Sequence, residues 1–352
     1  QGPTSASIGS FNNHWGVPLS LARMSREAVY GVFELGMNHP GEIRELTALV
    51  RPQVSIITNI EPAHIGNFSS ITEIADAKAE IFEGMDSNGT AVLNRDNALF
   101  HHLCTRAEDA SVTRIVSFGR HKEADARLLD CSLHATCSAV TASIRGQEID
   151  YCLAMPGSHW VMNSLAVLAA VSAIGADVVK AAAQLANLKA LKGRGERHNI
   201  ETSAGVFRLI DDSYNANPTS MRAAFEVLGR SSLGDGGRRI AVLGDMLELG
   251  DRAEEMHAGL AAPLEAAGID LVFTCGDSMA ALHESLPEKL RGAHCATSKE
   301  LAPAVTAAVR PGDSLLVKGS LGSRMAVIVE ALIDLGSDTP PMANGPQAAN
   351  GG

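Results

Sequence analysis

Aromatic side chains make up only 4% of the 352 residues, with 2 Trp and 3 Tyr among them. So thin a supply of π-faces argues against a platform on which nucleic-acid bases stack. Positive charge is also short. The 29 Lys and Arg against 40 Asp and Glu give a formal net charge of −11, and nothing gathers into a basic surface for nucleic acid or a polybasic membrane patch. The six cysteines (Cys104, Cys131, Cys137, Cys152, Cys275 and Cys295) form no C-x-x-C pair and no Cys/His zinc spacing. They read as reduced core thiols of a cytoplasmic protein. There is no apolar run long enough to span a bilayer and no signal peptide, so membrane insertion is not expected. No G-x-G-x-x-G follows a strand-like run, which speaks against a dinucleotide-dependent oxidoreductase. No repeat has a solenoid period.

What is present is an ordinary globular composition, 45% hydrophobic and 20% charged, in a chain long enough for two domains that each bury a core. Residues 71–85, I-T-E-I-A-D-A-K-A-E-I-F-E-G-M, hold one anomaly. Ile71, Ile74, Ala75, Ile81, Phe82 and Met85 fall at the spacing of one helical face, and Lys78 sits on that stripe. Two readings stay open: an aliphatic stem that snorkels to the rim, or a partly buried amine of lowered pKa poised for chemistry or for an anion. Upstream, the β-branched run 54–60 breaks into a loop with Glu61, His64 and Asn67, as a buried parallel strand ends at a ligand-binding rim. A second strand is expected over 28–35, ending on Glu34. Carboxylate, imidazole and buried lysine on one rim would make a metal or phosphate site.

Residues 10–21 join turn formers, Asn12 and Asn13, to the start of a helix. From Thr90 to about 155 short strands follow one another. A helix then opens at Gly157 and Ser158 and sets His159 and Asn163 four residues apart on one face. After a further helix over 177–188, the stretch L-K-A-L-K-G-R-G-E-R-H reads as a charged, glycine-bearing linker. Strands are then expected at 206–211, 239–243, 271–275 and 314–317, alternating with helices in a Rossmann-like α/β unit. Three strand ends are chemically loaded: L-I-D-D-S-Y-N-A-N-P, A-V-L-G-D-M-L-E-L-G and L-V-K-G-S. In the last of these, Lys318 and a glycine-serine turn suit an anion at a helix N-terminus.

The segments G-S-F-N-N-H-W-G-V-P-L-S-L, E-L-G-M-N-H-P-G-E-I, T-N-I-E-P-A-H-I-G-N-F, A-K-A-E-I-F, M-P-G-S-H-W-V-M-N-S-L, G-R-G-E-R-H, D-D-S-Y-N-A-N-P-T-S-M, L-G-D-M-L-E-L-G and V-K-G-S, in this order, resemble the Mur ligase family. They are most similar to its member that joins D-Ala-D-Ala to UDP-MurNAc-tripeptide. The resemblance implies an α/β fold: a central ATPase-like domain over 1–192, with the β-rich segment at 90–155, then a Rossmann-like C-terminal domain over 193–336 and a disordered tail over 337–352. It further implies a monomeric enzyme of the bacterial cytoplasm that uses ATP and two Mg2+ ions to make an amide through an acyl phosphate. In the family a glycine-rich phosphate loop, G-x-x-G-K-[ST], and an N-terminal domain precede the segment matched by residues 9–13. This chain contains neither and opens on Gln1, so a fragment inactive on its own is expected, its central sheet left with an uncovered edge.

Carried over by the resemblance, Glu34 and His64 match magnesium ligands. Lys78 matches an active-site lysine that several members carry as a carbamate, able to hold a cation. Asn163 and His159 match nucleotide contacts, and Arg194 and Asp212 an ATP-binding pair, with Tyr214, Asn215 and Asn217 beside the adenine or the incoming dipeptide. Asn12, Asn13, Asn217, Lys318 and Ser320 match substrate contacts. A hinge is implied near 191–199. Two other readings stay beside this one: a non-catalytic nucleotide- or substrate-binding fragment, and a Mur ligase that adds a single amino acid.

Overall fold

The computed structural model describes residues 1–61 and 65–337. His64 therefore lies outside the described residues, as does the tail expected over 337–352 except for Ser337, which closes the last helix. The described residues divide into two compact units, one within 1–189 together with 247–253, the other of 190–246 with 254–337.

The first unit runs β1 (Thr4–Ala6), α1 (Gly16–Ala22), β2 (Tyr30–Val32), α2 (Glu42–Val50), β3 (Val54–Ile57), α3 (Ile71–Ala79), β4 (Thr90–Asn94), α4 (Phe100–Asp109), β5 (Arg114–Gly119), β6 (Ala126–Leu133), β7 (Ser138–Ile144), β8 (Gln147–Leu153), α5 (Ser158–Ala173) and α6 (Val178–Gln184). Its six-stranded sheet has the order β3-β4-β5-β6-β7-β8. Pairing is parallel from β3 to β6 and antiparallel from β6 to β8. Composition follows that division. The T-A-V-L run of β4 is buried at every position, as a strand covered on both faces must be. In β7 and β8 buried and exposed residues alternate, the mark of an antiparallel sheet with one wet face.

Two expectations change in this unit. The strand expected over 28–35 is only three residues long, and β2 pairs in parallel with β1 in a separate two-stranded sheet, so Glu34 lies two residues beyond its strand. The helix expected over 71–85 is α-helical only to Ala79 and tightens into a 3-10 turn over Glu80–Gly84. Neighbouring α2 supplies the reason. The Thr47 hydroxyl takes the Ile81 carbonyl at 2.8 Å, and a Cβ on Gly84 would run into the Thr47 carbonyl. Glu80, 6% exposed, turns back to accept from the N–H groups of Gly41 at 2.7 Å and Arg44 at 3.1 Å. These are unfilled donors at the start of α2, where a carboxylate also meets the positive end of the helix dipole.

The second unit runs β9 (Glu196–Thr202), β10 (Gly205–Asp212), α7 (Pro218–Gly229), β11 (Arg239–Gly244), α8 (Ala253–Ala258), α9 (Ala261–Ala266), β12 (Leu271–Cys275), α10 (Met279–Ser285), β13 (Arg291–Cys295), α11 (Ser298–Ala308), β14 (Ser314–Lys318) and α12 (Ala326–Ser337). The sheet order is β13-β12-β11-β14-β10-β9, parallel except for β9. Every residue of β14, at its centre, is buried. Leu209, Val242, Leu315 and Val317 pack with Leu301 and Val305 of α11 and Ile328 and Leu332 of α12 in one core. The stretch read as a linker becomes β9 from Glu196 onward, because its residues pair with β10 from Gly205 to Asp211. β13, R-G-A-H-C, went unforeseen for want of β-branched residues. It is an edge strand, held through β12 alone.

Replacing Glu80 by alanine should orphan two backbone donors, at about 1–3 kcal/mol for each buried group left unmet. Urea denaturation is expected to show the first unit destabilised by about 2 kcal/mol. Glu83→Ala, which removes only an exposed partner of Arg44, should cost less than about 1 kcal/mol.

Candidate functional site

In the first unit the candidate chemistry gathers where β3 ends. The Lys78 ammonium donates to the Asn59 carbonyl at 3.1 Å. Asn59 in turn donates from Nδ2 to Glu61 Oε1 at 2.7 Å and accepts at Oδ1 from Asn97 Nδ2 at 2.6 Å. Asn97 also donates to the Ile60 carbonyl at 3.1 Å, so the chain leaving β3 is pinned to the loop after β4. Burial pushes the Lys78 amine below its ordinary 10.5, and the Glu61 carboxylate pulls the other way. Of the two readings of this residue, the partly buried amine of lowered pKa is the one that the geometry fits. Ile74, Ala75 and Phe82 of its stripe are fully buried, whereas Ile71 is exposed.

Glu34 is exposed and accepts from Asn12 Nδ2 at 2.9 Å. Its backbone N–H reaches the Ser7 hydroxyl at 3.3 Å. Asn13 caps the turn into α1, its Oδ1 accepting from Trp15 N–H at 3.1 Å and Gly16 N–H at 2.9 Å. Thus Asn12 orients Glu34 while Asn13 shapes the backbone. No hydrogen bond or ion pair joins Glu34 to Lys78 among the described residues. On α5, His159 is exposed and Asn163 half-buried, one turn apart.

In the second unit the candidates lie at the carboxyl ends of β10 and β14, the end of a parallel sheet where α/β proteins place their ligands. Lys318 is 2% exposed. Its ammonium donates to Asp212 Oδ2 and to the Asn215 carbonyl, both at 2.7 Å. Burial raises the Asp212 carboxyl, with Lys318 and Arg194 opposing and Asp211 adding to the rise. The Arg194 guanidinium stacks on the Tyr214 ring, 4.3 Å from its centroid. The backbone holds it there. Gly193 and Gly195 take left-handed φ of +72° and +84°, the Tyr214 N–H donates to the Gly193 carbonyl at 3.0 Å, and the Gly195 N–H to the Asp211 carbonyl at 2.8 Å. A Cβ at Gly193 would stand 3.1 Å from Tyr214 Cβ, so glycine is needed there for both reasons.

Asn217 is the N-cap of α7 in a capping box with Ser220, with Pro218 at the first helical position. Ser320 is buried and its N–H donates to the Asp245 carbonyl at 3.0 Å. Several residues escaped the sequence reading. Asn59 and Asn97 look like ordinary turn formers. His257, fully buried, accepts from the Met246 N–H at 2.9 Å, which requires a bare Nε2 and so a neutral ring. Arg197 has Nε and Nη2 buried without a hydrogen-bond partner.

Two parallel-rich α/β units with polar clusters at their strand ends define the class, and comparison with known proteins agrees. The Mur ligase middle domain model matches residues 2–171, and the model described as Mur ligase, glutamate ligase domain, matches residues 193–321. The chain belongs to the Mur ligase family. It is 34% identical over 325 residues to the UDP-N-acetylmuramoyl-tripeptide--D-alanyl-D-alanine ligase of Rickettsia prowazekii (strain Madrid E), which covers 92% of this chain and 71% of that one. With the enzyme of the same name from Bacillus subtilis (strain 168) it shares 36% identity over 329 residues, 93% of this chain and 69% of the relative. A crystal structure of MurF from Acinetobacter baumannii superposes with a TM-score of 0.83 at 31% identity, over 95% of this chain and 71% of that one. Among the described residues no helix is long and apolar enough to cross a membrane.

Two outcomes follow from the charges. Lys318→Met should leave Asp212, whose side chain is 24% exposed, without its cation, destabilising the second unit by about 1–3 kcal/mol, and adding Asp212→Asn should restore part of that loss. Strictly additive denaturation energies would remove the pair from the account. Lys78 has a folded pKa below its unfolded one, so the cost of burying its charge is present in full below the folded value. That cost is relieved as pH rises toward 10.5. In CO2-free buffer the wild type should therefore gain stability over Lys78→Met through this alkaline window, by up to about 1.4 kcal/mol per pH unit.

Proposed function

We propose that the protein is an ATP-dependent amide ligase of peptidoglycan precursor synthesis, joining D-Ala-D-Ala to UDP-MurNAc-tripeptide. The observation that carries this reading is the likeness to UDP-N-acetylmuramoyl-tripeptide--D-alanyl-D-alanine ligases, which covers 92% and 93% of the chain in the two relatives compared. In the reaction the γ-phosphoryl group passes from ATP to the terminal carboxylate of the tripeptide, releasing ADP and leaving an acyl phosphate. The dipeptide amine attacks that carbonyl and loses a proton, and the carbon–oxygen bond to phosphate breaks. Such chemistry is mostly positioning and charge neutralisation.

The ATP-binding central domain is assigned to residues 1–192 and the ligase domain to residues 193–336. Arg194, fixed flat on Tyr214, offers a guanidinium to the nucleotide phosphates. Asp212, held by Lys318, accepts from the nucleotide, with Asn215 beside it. Asn163 and His159 present a donor and a ring from the first turns of α5. Asn12, Asn13, Asn217, Lys318 and Ser320 shape the substrate-facing loops. The oxygen donors suit a hard cation: Glu34 gives one oxygen to Asn12 and keeps the other, a Lys78 amine of lowered pKa favours uptake of CO2 as an anionic carbamate, and the His64 imidazole, an unusual Mg2+ ligand, would share a sphere dominated by oxygens and water. Glu34, His64 and carbamylated Lys78 would hold Mg2+, with two ions in the site, whose charge would neutralise that of the phosphates. The enzyme works as a monomer in the bacterial cytoplasm.

The test is a phosphate-release assay on a form extended to include a G-x-x-G-K-[ST] loop. Turnover is expected only when UDP-MurNAc-tripeptide, ATP, Mg2+ and D-Ala-D-Ala are all present. Equal turnover with a single L-amino acid would replace this reading by another Mur ligase activity. Lys78→Ala should lower the rate by about two orders of magnitude, with partial rescue by a short carboxylic acid. The 352-residue chain, which lacks the loop, should neither turn over nor bind ATP·Mg2+ tightly in calorimetry.

A further inference from the structure

A cluster outside these candidates lies on the antiparallel pair β9–β10. Glu196 stands opposite Asp211, and His198 opposite Leu209, so strand alternation puts all three side chains on one face of the sheet. Each offers one ligand atom, and the three atoms lie within 4.8 Å of one another.

The charges in this cluster do not close. Asp211 is 2% exposed, and its one described hydrogen bond is accepted by Oδ1 from the Ser213 N–H at 3.1 Å. Beside it stands a second carboxylate, Glu196, and neither has a lysine or arginine partner among the described residues. The nearby cations are turned away. Arg197 pairs with Ile210 on the opposite face of the strands, and Lys318 is taken by Asp212 and Asn215. His198 Nε2 is buried without a hydrogen-bond partner, and it lies 3.8 Å from Glu196 Oε2, close but not bonded. A buried carboxylate with so little compensation calls for a cation.

We propose that Glu196, His198 and Asp211 form a site for a divalent transition metal, with Zn2+ as the probe, bracing the edge strand β9 against β10. Two carboxylates and an imidazole suit the borderline ions Zn2+ and Mn2+ better than Mg2+, which prefers an all-oxygen shell. The spacing suits them too. Zn2+ bonds of about 2.1 Å in a tetrahedron hold ligand atoms about 3.4 Å apart, so the histidine–glutamate separation needs little contraction. The side chains of Glu196 and His198 are 38% and 25% exposed, which leaves an entry path and room for water as a fourth ligand. The site needs neither nucleotide nor substrate, so it stands or falls apart from the ligase reading.

The test is metal retention by the 352-residue chain, stripped with EDTA, given equimolar Zn2+ in excess Mg2+, and titrated against a chromophoric chelator. The wild type should hold one equivalent of Zn2+ that His198→Gln and Glu196→Gln bind at least tenfold more weakly, with a Zn2+-dependent rise in melting temperature confined to the wild type. Both replacements sit at partly exposed positions, so the comparison survives even if Asp211→Asn fails to fold. Co2+ in place of Zn2+ should give a visible spectrum without a thiolate charge-transfer band. Equal retention by wild type and His198→Gln, a thiolate band, or no retained metal would each overturn the site.

Discussion

The ammonium of Lys318 is the contact on which the second unit is arranged. It sits at the last position of the central strand β14, takes the carboxylate of Asp212 from the end of β10, and takes a carbonyl from the loop that follows. A charge buried this deeply persists only when fully met, so the two strand ends and the start of the loop into α7 are fixed together. The Asn217 capping box continues that rigidity into the helix. Arg194 and Tyr214, tied by backbone bonds to the same strand end, inherit their positions from it.

The first unit solves the same problem with neutral groups. Among the described residues Lys78 has no hydrogen bond to a carboxylate, and Glu61 acts on it through space. It leans on a backbone carbonyl at the end of a chain of asparagine amides. This difference in partners separates the two lysines: one paired directly with an adjacent anion, the other pushed toward its neutral form by burial. Each state fits the role proposed for its residue, a fixed support in one unit and a reactive amine in the other.

Much of this was legible in the sequence where one local signal was enough. The apolar runs of β4, β11, β12 and β14 read as strands and are so, and the lysine on an apolar stripe of α3 drew attention to an amine whose pKa burial lowers. The rest depended on partners distant in sequence. Glu80 shortens α3 because it caps a helix 36 residues upstream, β9 exists because β10 offers it an edge, and Lys318 read as an open anion-binding group because its claim by Asp212, 106 residues away, has no trace in the local pattern. The asparagines around Lys78 were overlooked for a related reason. Their residue type is typical of turns, and only the fold shows that they form a relay.

The stacking of Arg194 on Tyr214 has an entropic side. A free arginine side chain samples rotamers worth about 2 kcal/mol of disorder, which an anion docking on it would have to quench. Here the ring and the left-handed backbone on both sides have quenched it during folding. An arriving anion meets a guanidinium already in register, and its affinity then rests on the contacts it makes and no longer on ordering the arginine first. Lysine at this position would keep the charge and lose the flat surface that holds it still, so the property conserved by charge alone is the less important of the two.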